Sequence, residues 1–68
     1  MKMNNKAIAA IRESKGRFFG LTTKHGTHNA RLVRETNNYI TFVDRNSGAE
    51  HKVAKTSVKN VRIAGQVV

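Results

Sequence analysis

Residues 17–36, RFFGLTTKHGTHNARLVRET, decide the fold of this chain. The stretch contains two runs of alternating apolar and polar residues, joined by KHGT at residues 24–27. Alternation with a period of two is typical of β-strands that have one buried face. The glycine at the junction supplies the positive φ that a tight hairpin turn requires. We therefore expect a β-hairpin with one apolar face and one face that carries basic side chains.

The alternation also assigns the side chains of this hairpin to its two faces. In the first strand, Phe19, Leu21 and Thr23 share the face that is expected to be apolar. In the second strand, Ala30 and Leu32 share that face. The opposite face of the second strand is expected to carry Asn29, Arg31, Val33 and Glu35.

Turn and strand patterns predict the remaining elements. A short helix over about residues 5–15 is capped by Asn4 or Asn5 and ends at Gly16 in a left-handed conformation. Further strands are predicted at residues 39–44, 50–54 and 61–64, with a single 3₁₀ turn at residues 55–57. Gly20 would allow the first strand to coil sharply. The sequence thus predicts one all-β domain over residues 1–68, a small five-stranded barrel at about 17–65 after a short N-terminal helix.

The predicted core combines the inward residues of the strands with two helix residues that close one end of the barrel. It consists of Phe19, Leu21, Ala30, Leu32, Ile40, Phe42, Val53, Val58, Val61 and Ile63, together with Ile8 and Ile11.

Charge is the strongest feature of the composition. Thirteen Lys and Arg face four Asp and Glu, which gives a formal net charge of +9. The basic residues are spread along the chain, and this favours a folded basic face over a basic tail. The usual counterpart of such a face is a polyanion or an acidic protein surface, and the alternative is general solvation of a small domain.

Several classes of site and location are disfavoured by the residues present. The chain has no Cys, so it has no disulfide, no thiolate metal site and no Cys nucleophile. Three His and four scattered acidic residues show no metal-ligand or acid–base spacing, so we expect no metal, no cofactor and no enzyme activity. The few apolar residues after the start are far short of a membrane span or signal-peptide core. We expect a soluble cytoplasmic protein, and the small size leaves homo-oligomerisation open.

Five motifs carry a family resemblance: SKGRFFGLT at residues 14–22, KHG at 24–26, NARL at 29–32, YITFVD at 39–44 and VKNV at 58–61. Together they resemble the small SH3-like β-barrel proteins of tailed bacteriophages. The chain is more distantly similar to Sm-like barrels, which also place a helix before five strands. The resemblance implies an SH3-like or Sm-like barrel encoded by a virus and located in the host cytoplasm. It implies no particular activity, because many members of the phage group have none assigned.

The candidate site is a binding surface. Residues suited to phosphate contacts are Lys24, Arg31, Arg34, Lys52 and Arg62. Tyr39 is suited either to stacking on a base or to packing at the barrel rim, and Phe18 either to stacking or to the core beneath the helix. The hypothesis is a non-enzymatic protein that binds DNA or RNA mainly through the nucleic-acid backbone. The alternative is a module that docks on an acidic host protein, such as transcription or replication machinery, and alters its activity.

Overall fold

The computed structural model describes residues 3–68, in which one short helix precedes six β-strands. The elements are α1 Asn5–Glu13, β1 Phe19–Thr23, β2 Gly26–Glu35, β3 Tyr39–Asp44, β4 Glu50–Ala54, a 3₁₀ turn at Lys55–Ser57, β5 Val58–Ile63 and β6 Gln66–Val67. The predicted mostly β structure with one N-terminal helix is confirmed, as are the bounds of β3, β4 and the 3₁₀ turn. The prediction that the last strand begins at residue 61 is wrong, because β5 begins at Val58, and the sequence pattern does not predict the two-residue strand β6. No helix of residues 3–68 is long and apolar enough to cross a membrane.

All six strands belong to one antiparallel sheet with the order β4-β3-β2-β1-β5-β6. Strand β2 is the longest at ten residues and pairs with a different neighbour on each side. Its pairing places Phe19 of β1 and Asp44 of β3 on either side of Ala30. The 3₁₀ turn carries the chain from β4, at one edge of the sheet, to β5 on the far side of β1. Strands β4 and β6 are the edges.

The β1–β2 hairpin closes around the glycine that the sequence indicates. Thr23 is paired with Gly26, so that Lys24 and His25 are the two loop residues. Gly26 has a φ of 133°, in the region that favours glycine, and the predicted role of this residue is confirmed. The backbone N–H of His25 donates to the Thr23 hydroxyl, which ties the loop to the end of β1.

The core lies between α1 and the inner face of the sheet. Its buried apolar residues are Ala7, Ile8, Ile11, Phe19, Leu21, Ala30, Ile40, Phe42, Val58 and Val61. Three other residues of the predicted core, Leu32, Val53 and Ile63, pack against it but are only partly buried. The Asn4 side chain caps α1 by accepting from the Ala7 N–H, and its amide donates to the Lys59 carbonyl of β5. The helix therefore covers one end of the sheet as expected.

A register shift near the end of β2 divides this strand into a longer and a shorter part. Leu32 is paired with Phe42, and Arg34 with Thr41, so that Val33 is an extra residue on the β2 side. Beyond this bulge the alternation is reversed, and Glu35 is paired with the inward Ile40. The expectation that Glu35 shares the face of Arg31 is therefore wrong. The bulge turns Arg34 to the outer face instead.

Candidate nucleic-acid interface

The outer face of the sheet collects most of the predicted site residues. Paired residues of neighbouring strands have side chains on the same face, so Arg31 shares a face with Val43, and Arg34 with Thr41 and Lys52. The basic side chains and aromatic rings of this surface, here called the basic face, are Phe18, Arg31, Arg34, Tyr39, Arg45, Lys52 and Arg62.

Phe18 is at the centre of one cluster on the basic face. Because Phe19 points into the core, Phe18 points outward, and 40% of its surface is exposed. The guanidinium carbons of Arg31 and Arg45 lie 5.7 and 5.4 Å from its ring centroid, so each arginine makes a cation–π contact with Phe18. The interpretation of Phe18 as a core residue beneath the helix is therefore wrong.

Arg45 is a residue of this cluster that sequence reasoning misses. It follows the last residue of β3, where the pattern indicates only a turn. Its backbone N–H donates to the Asn29 carbonyl at 2.8 Å, which extends the contact between β2 and β3 by one residue. This bond fixes the start of the turn, and the Arg45 side chain lies over Phe18.

Tyr39 forms a second cluster at the other end of β3. The ring is 43% exposed, and the Lys52 ammonium lies 4.7 Å from its centroid. Its partner across the sheet is Ala54, a side chain too small to cover the ring. A shallow groove of about 470 Å³ runs beside it, lined by Met3, Asn37, Asn38, Ala54, Lys55 and Thr56. Tyr39 thus presents a partly exposed ring that has a cation over it.

The remaining predicted residues differ in their distance from these clusters. Arg34 on β2 is paired with Thr41 on β3, which is paired in turn with Lys52 on β4. This row of three residues lies between the two aromatic rings. Arg62 shares the outer face but lies on β5, where it is paired with Gly20. Lys24 lies in the hairpin loop, and its backbone N–H donates to the Ser57 carbonyl. The structure therefore brings together Arg31, Arg34, Tyr39 and Lys52, with Arg62 to one side and Lys24 at the end of the hairpin.

Two of the four side-chain carboxylates are engaged away from the basic face. Glu35 accepts from Arg12 of α1 and from Lys55 of the 3₁₀ turn, and these hydrogen bonds lower the pKa of Glu35 to about 2. Asp44 accepts from the Asn46 N–H and contacts His28, and these bonds hold the pKa of Asp44 below its ordinary value.

The cations of the basic face are consequently available to an external anion. The ion pairs within residues 3–68 join Arg12 and Lys55 to Glu35, and the His28 ring contacts Asp44. None of these pairs includes an arginine or lysine of the basic face. Within residues 3–68, therefore, no cation of the basic face forms an ion pair with a carboxylate, although Glu50, which is paired with Val43, lies on the same face.

Two of the three histidines form a separate feature on the inner side of the sheet. His28 and His51 lie against Phe42, with ring centroids 5.3 and 5.5 Å from it. The Nδ1 atom of His28 is 3.2 Å from a carboxylate oxygen of Asp44. Residues 3–68 contain no group of three or more His, Asp or Glu side chains that could hold a metal ion.

Comparison with family models, with curated proteins and with solved structures gave no match to this chain. The candidate site consequently rests on the geometry of the chain's own residues.

Proposed function

We propose that this protein is a non-enzymatic nucleic-acid-binding protein that contacts phosphates through the basic face. The observation that carries the proposal is the pairing of two exposed aromatic rings, Phe18 and Tyr39, with cations that have no carboxylate partner. Exposed rings and unpaired cations on one surface match the two parts of a nucleotide, its base and its phosphate.

The energetics of such binding come mainly from counterion release. Each Arg or Lys that neutralises a phosphate releases condensed cations from the nucleic acid, which makes the affinity strongly salt-dependent. Arginine adds a planar fork that can bind two phosphate oxygens at once. The strand residues of the basic face include few groups suited to reading base edges, so we expect little sequence specificity.

We also infer an architecture for the sheet. The order of a helix, four strands, a 3₁₀ turn and a further strand, together with the bulged ten-residue β2, supports a small SH3-like barrel. The resemblance to proteins of tailed bacteriophages supports a viral origin and action in the host cytoplasm. The proposed function does not depend on this origin.

The test compares two variants that lose the same amount of positive charge, one on the basic face and one elsewhere on the protein. Arg31→Glu with Arg34→Glu reverses two exposed cations next to the rings, and Lys6→Glu with Lys15→Glu makes the same change in net charge on the helix side. Fluorescence anisotropy with labelled single-stranded DNA, duplex DNA and RNA is measured at several salt concentrations.

For the unaltered protein, log affinity is expected to fall with log salt by about 0.9 per neutralised phosphate on duplex and about 0.7 on single strands. The basic-face variant is expected to bind far more weakly and with a shallower slope, whereas the helix-side variant loses much less. Equal losses in the two variants would contradict a localised interface. No binding to any nucleic acid at low salt would refute the proposal and favour an acidic host protein as the partner.

A further inference from the structure

We infer that the basic face takes single-stranded nucleic acid, with one unpaired base stacked on Tyr39 and another on Phe18. The inference rests on the proposed function and goes beyond it by naming the substrate class. It is carried by the exposure, the cationic neighbours and the spacing of the two rings.

The exposed rings favour unpaired bases over a duplex. The flat faces of bases inside a duplex are covered by their stacked neighbours, so a protein ring can stack only on a base that has left the helix. A duplex could touch the phosphate-binding cations but would leave Phe18 and Tyr39 in water. A single strand satisfies both parts of the surface at once.

The cations are placed to support stacking at each ring. The Arg31 and Arg45 guanidinium carbons lie over the Phe18 ring, and the Lys52 ammonium lies over the Tyr39 ring, so a base stacks on the ring surface that these cations leave exposed. A base that stacks on either ring arrives with a phosphate attached to its sugar, and that phosphate meets a cation next to the ring. The base also shields the cation–π contact from water, which strengthens it.

The distance between the rings indicates how a strand would run. Tyr39 lies four residues before Val43 on β3, and Val43 is paired with Arg31, beside Phe18. The two ring positions are thus four residues apart along the strands and two strand spacings apart across the sheet, which gives a straight-line distance of about 16 Å. Stacked neighbours in a nucleic acid are only about 3.4 Å apart. The two bases are therefore not neighbours in the strand, because the distance corresponds to about five stacked steps, or to fewer steps if the strand is extended.

The residues between the rings fit this path. Arg34 and Thr41 lie on the same face, between the row of Val43 and the position of Tyr39. Arg34 is on that face only because the bulge at Val33 reverses the alternation of β2. Its guanidinium can bind a phosphate of the connecting nucleotides, and the Thr41 hydroxyl can donate to another.

The composition of the chain provides a direct probe of one ring. Tyr39 is the only tyrosine, and the chain has no tryptophan, so its intrinsic fluorescence reports on Tyr39 alone. The unaltered protein is titrated at low salt with an unlabelled oligothymidylate and with a duplex of the same length, and emission is corrected for absorption by the nucleic acid. We expect the single strand to quench Tyr39 and to bind more tightly than the duplex.

Ring-removal variants test both stacking positions. Tyr39→Ala and Phe18→Ala are each expected to weaken single-strand binding by about 5- to 150-fold. Because neither change removes a charge, the salt dependence should keep the slope of the unaltered protein. Tyr39→Phe retains a ring and should bind nearly normally, and Gln66→Ala, which truncates an exposed uncharged residue of β6 paired with Ile63 and not with the basic face, should have no effect.

The outcomes separate this inference from the proposed function. Salt-dependent binding with equal affinity for duplex and single strand, and without Tyr39 quenching, would overturn the inference and leave nucleic-acid binding in place. Absence of all binding would remove both. The titration of the unaltered protein distinguishes these outcomes even if a variant fails to fold.

Discussion

Replacing Glu35 by Gln tests whether one carboxylate joins α1, β2 and the 3₁₀ turn. Glu35 accepts from the Arg12 Nε at 2.9 Å and from the Lys55 Nζ at 2.7 Å. The Lys55 side chain is only 7% exposed, and that of Glu35 is 20% exposed. Gln keeps the shape of the side chain but removes its charge, so the buried ammonium of Lys55 loses its counter-charge.

The magnitude follows from the pKa of Glu35. Hydrogen bonds from Arg12, and then from Lys55, lower this pKa from 4.5 to about 2. One pKa unit corresponds to about 1.4 kcal/mol, so this lowering of the pKa limits the contribution of the Glu35 charge to folding stability to roughly 3 kcal/mol. Solvent reaches part of Glu35 and most of Arg12, which screens the pair. We therefore expect Glu35→Gln to lower the free energy of unfolding by about 1–2 kcal/mol at pH 7.

The assay is urea unfolding followed by far-ultraviolet circular dichroism at several pH values. The pKa of Glu35 is lower in the folded state, so its contribution is fully present above about pH 4.5 and is lost as the pH falls towards about 2. The difference between the unaltered protein and the Gln variant should shrink over this interval. Adding Lys55→Met to the variant should recover part of the loss, because the uncompensated ammonium is then absent.

Exposed Glu13 on α1 provides the matched control. Glu13→Gln removes the same charge and should change stability by less than about 0.5 kcal/mol. A Glu35→Gln variant as stable as the unaltered protein at pH 7, or a loss that stays constant down to pH 2, would refute the reasoning.

The remaining predictions concern packing, the hairpin and the helix cap, and thermal and urea unfolding check all three. Phe42→Ala should cost about 3–5 kcal/mol because Phe42 is fully buried, whereas Leu32→Ala should cost less, since Leu32 is only partly buried; equal costs would contradict the packing. Gly26→Val should cost roughly 1–3 kcal/mol because φ is 133° there, and His25→Asn in the same turn should be nearly neutral. Similar melting of these two variants would mean that the turn is wrongly placed. Asn4→Ala removes both the cap of α1 and a bond to β5, so it should cost about 1–2 kcal/mol, and an unchanged melting temperature would argue against the cap.

Much of the fold could be predicted because the strands have strong alternating patterns. Phe19, Leu21, Ile40 and Phe42 recur at every second position, and each is buried in the structure. A strand can bury apolar residues at every second position only by turning that face to the core, so the sequence pattern predicts the packing in the folded protein. Gly26 marks the hairpin turn for a similarly local reason.

The features that could not be predicted depend on pairing between strands. Nothing in the residues around Val33 indicates a bulge, because the shift arises from the register of β2 against β3. It exchanges the faces of Arg34 and Glu35, which changes both the candidate site and the ion pairs of the core side. Arg45 joins Phe18 through a contact that spans three strands, and β6 is too short to produce a periodic pattern.

The two edge strands, β4 and β6, affect how readily purified copies of the protein associate. Unpaired strand edges invite pairing between copies of a chain, and proline, charge or short length usually prevents it. This chain has no proline, β6 is only two residues long, and β4 has Glu50 and Lys52 in the same strand. The opposite charges of Glu50 and Lys52 can pair across two antiparallel β4 edges, so protection there comes from the net charge of +9, which repels other copies of the chain and is screened by added salt. The concentrated salt that strips nucleic acid from a basic protein is the condition in which β4 edges of neighbouring molecules are freest to join.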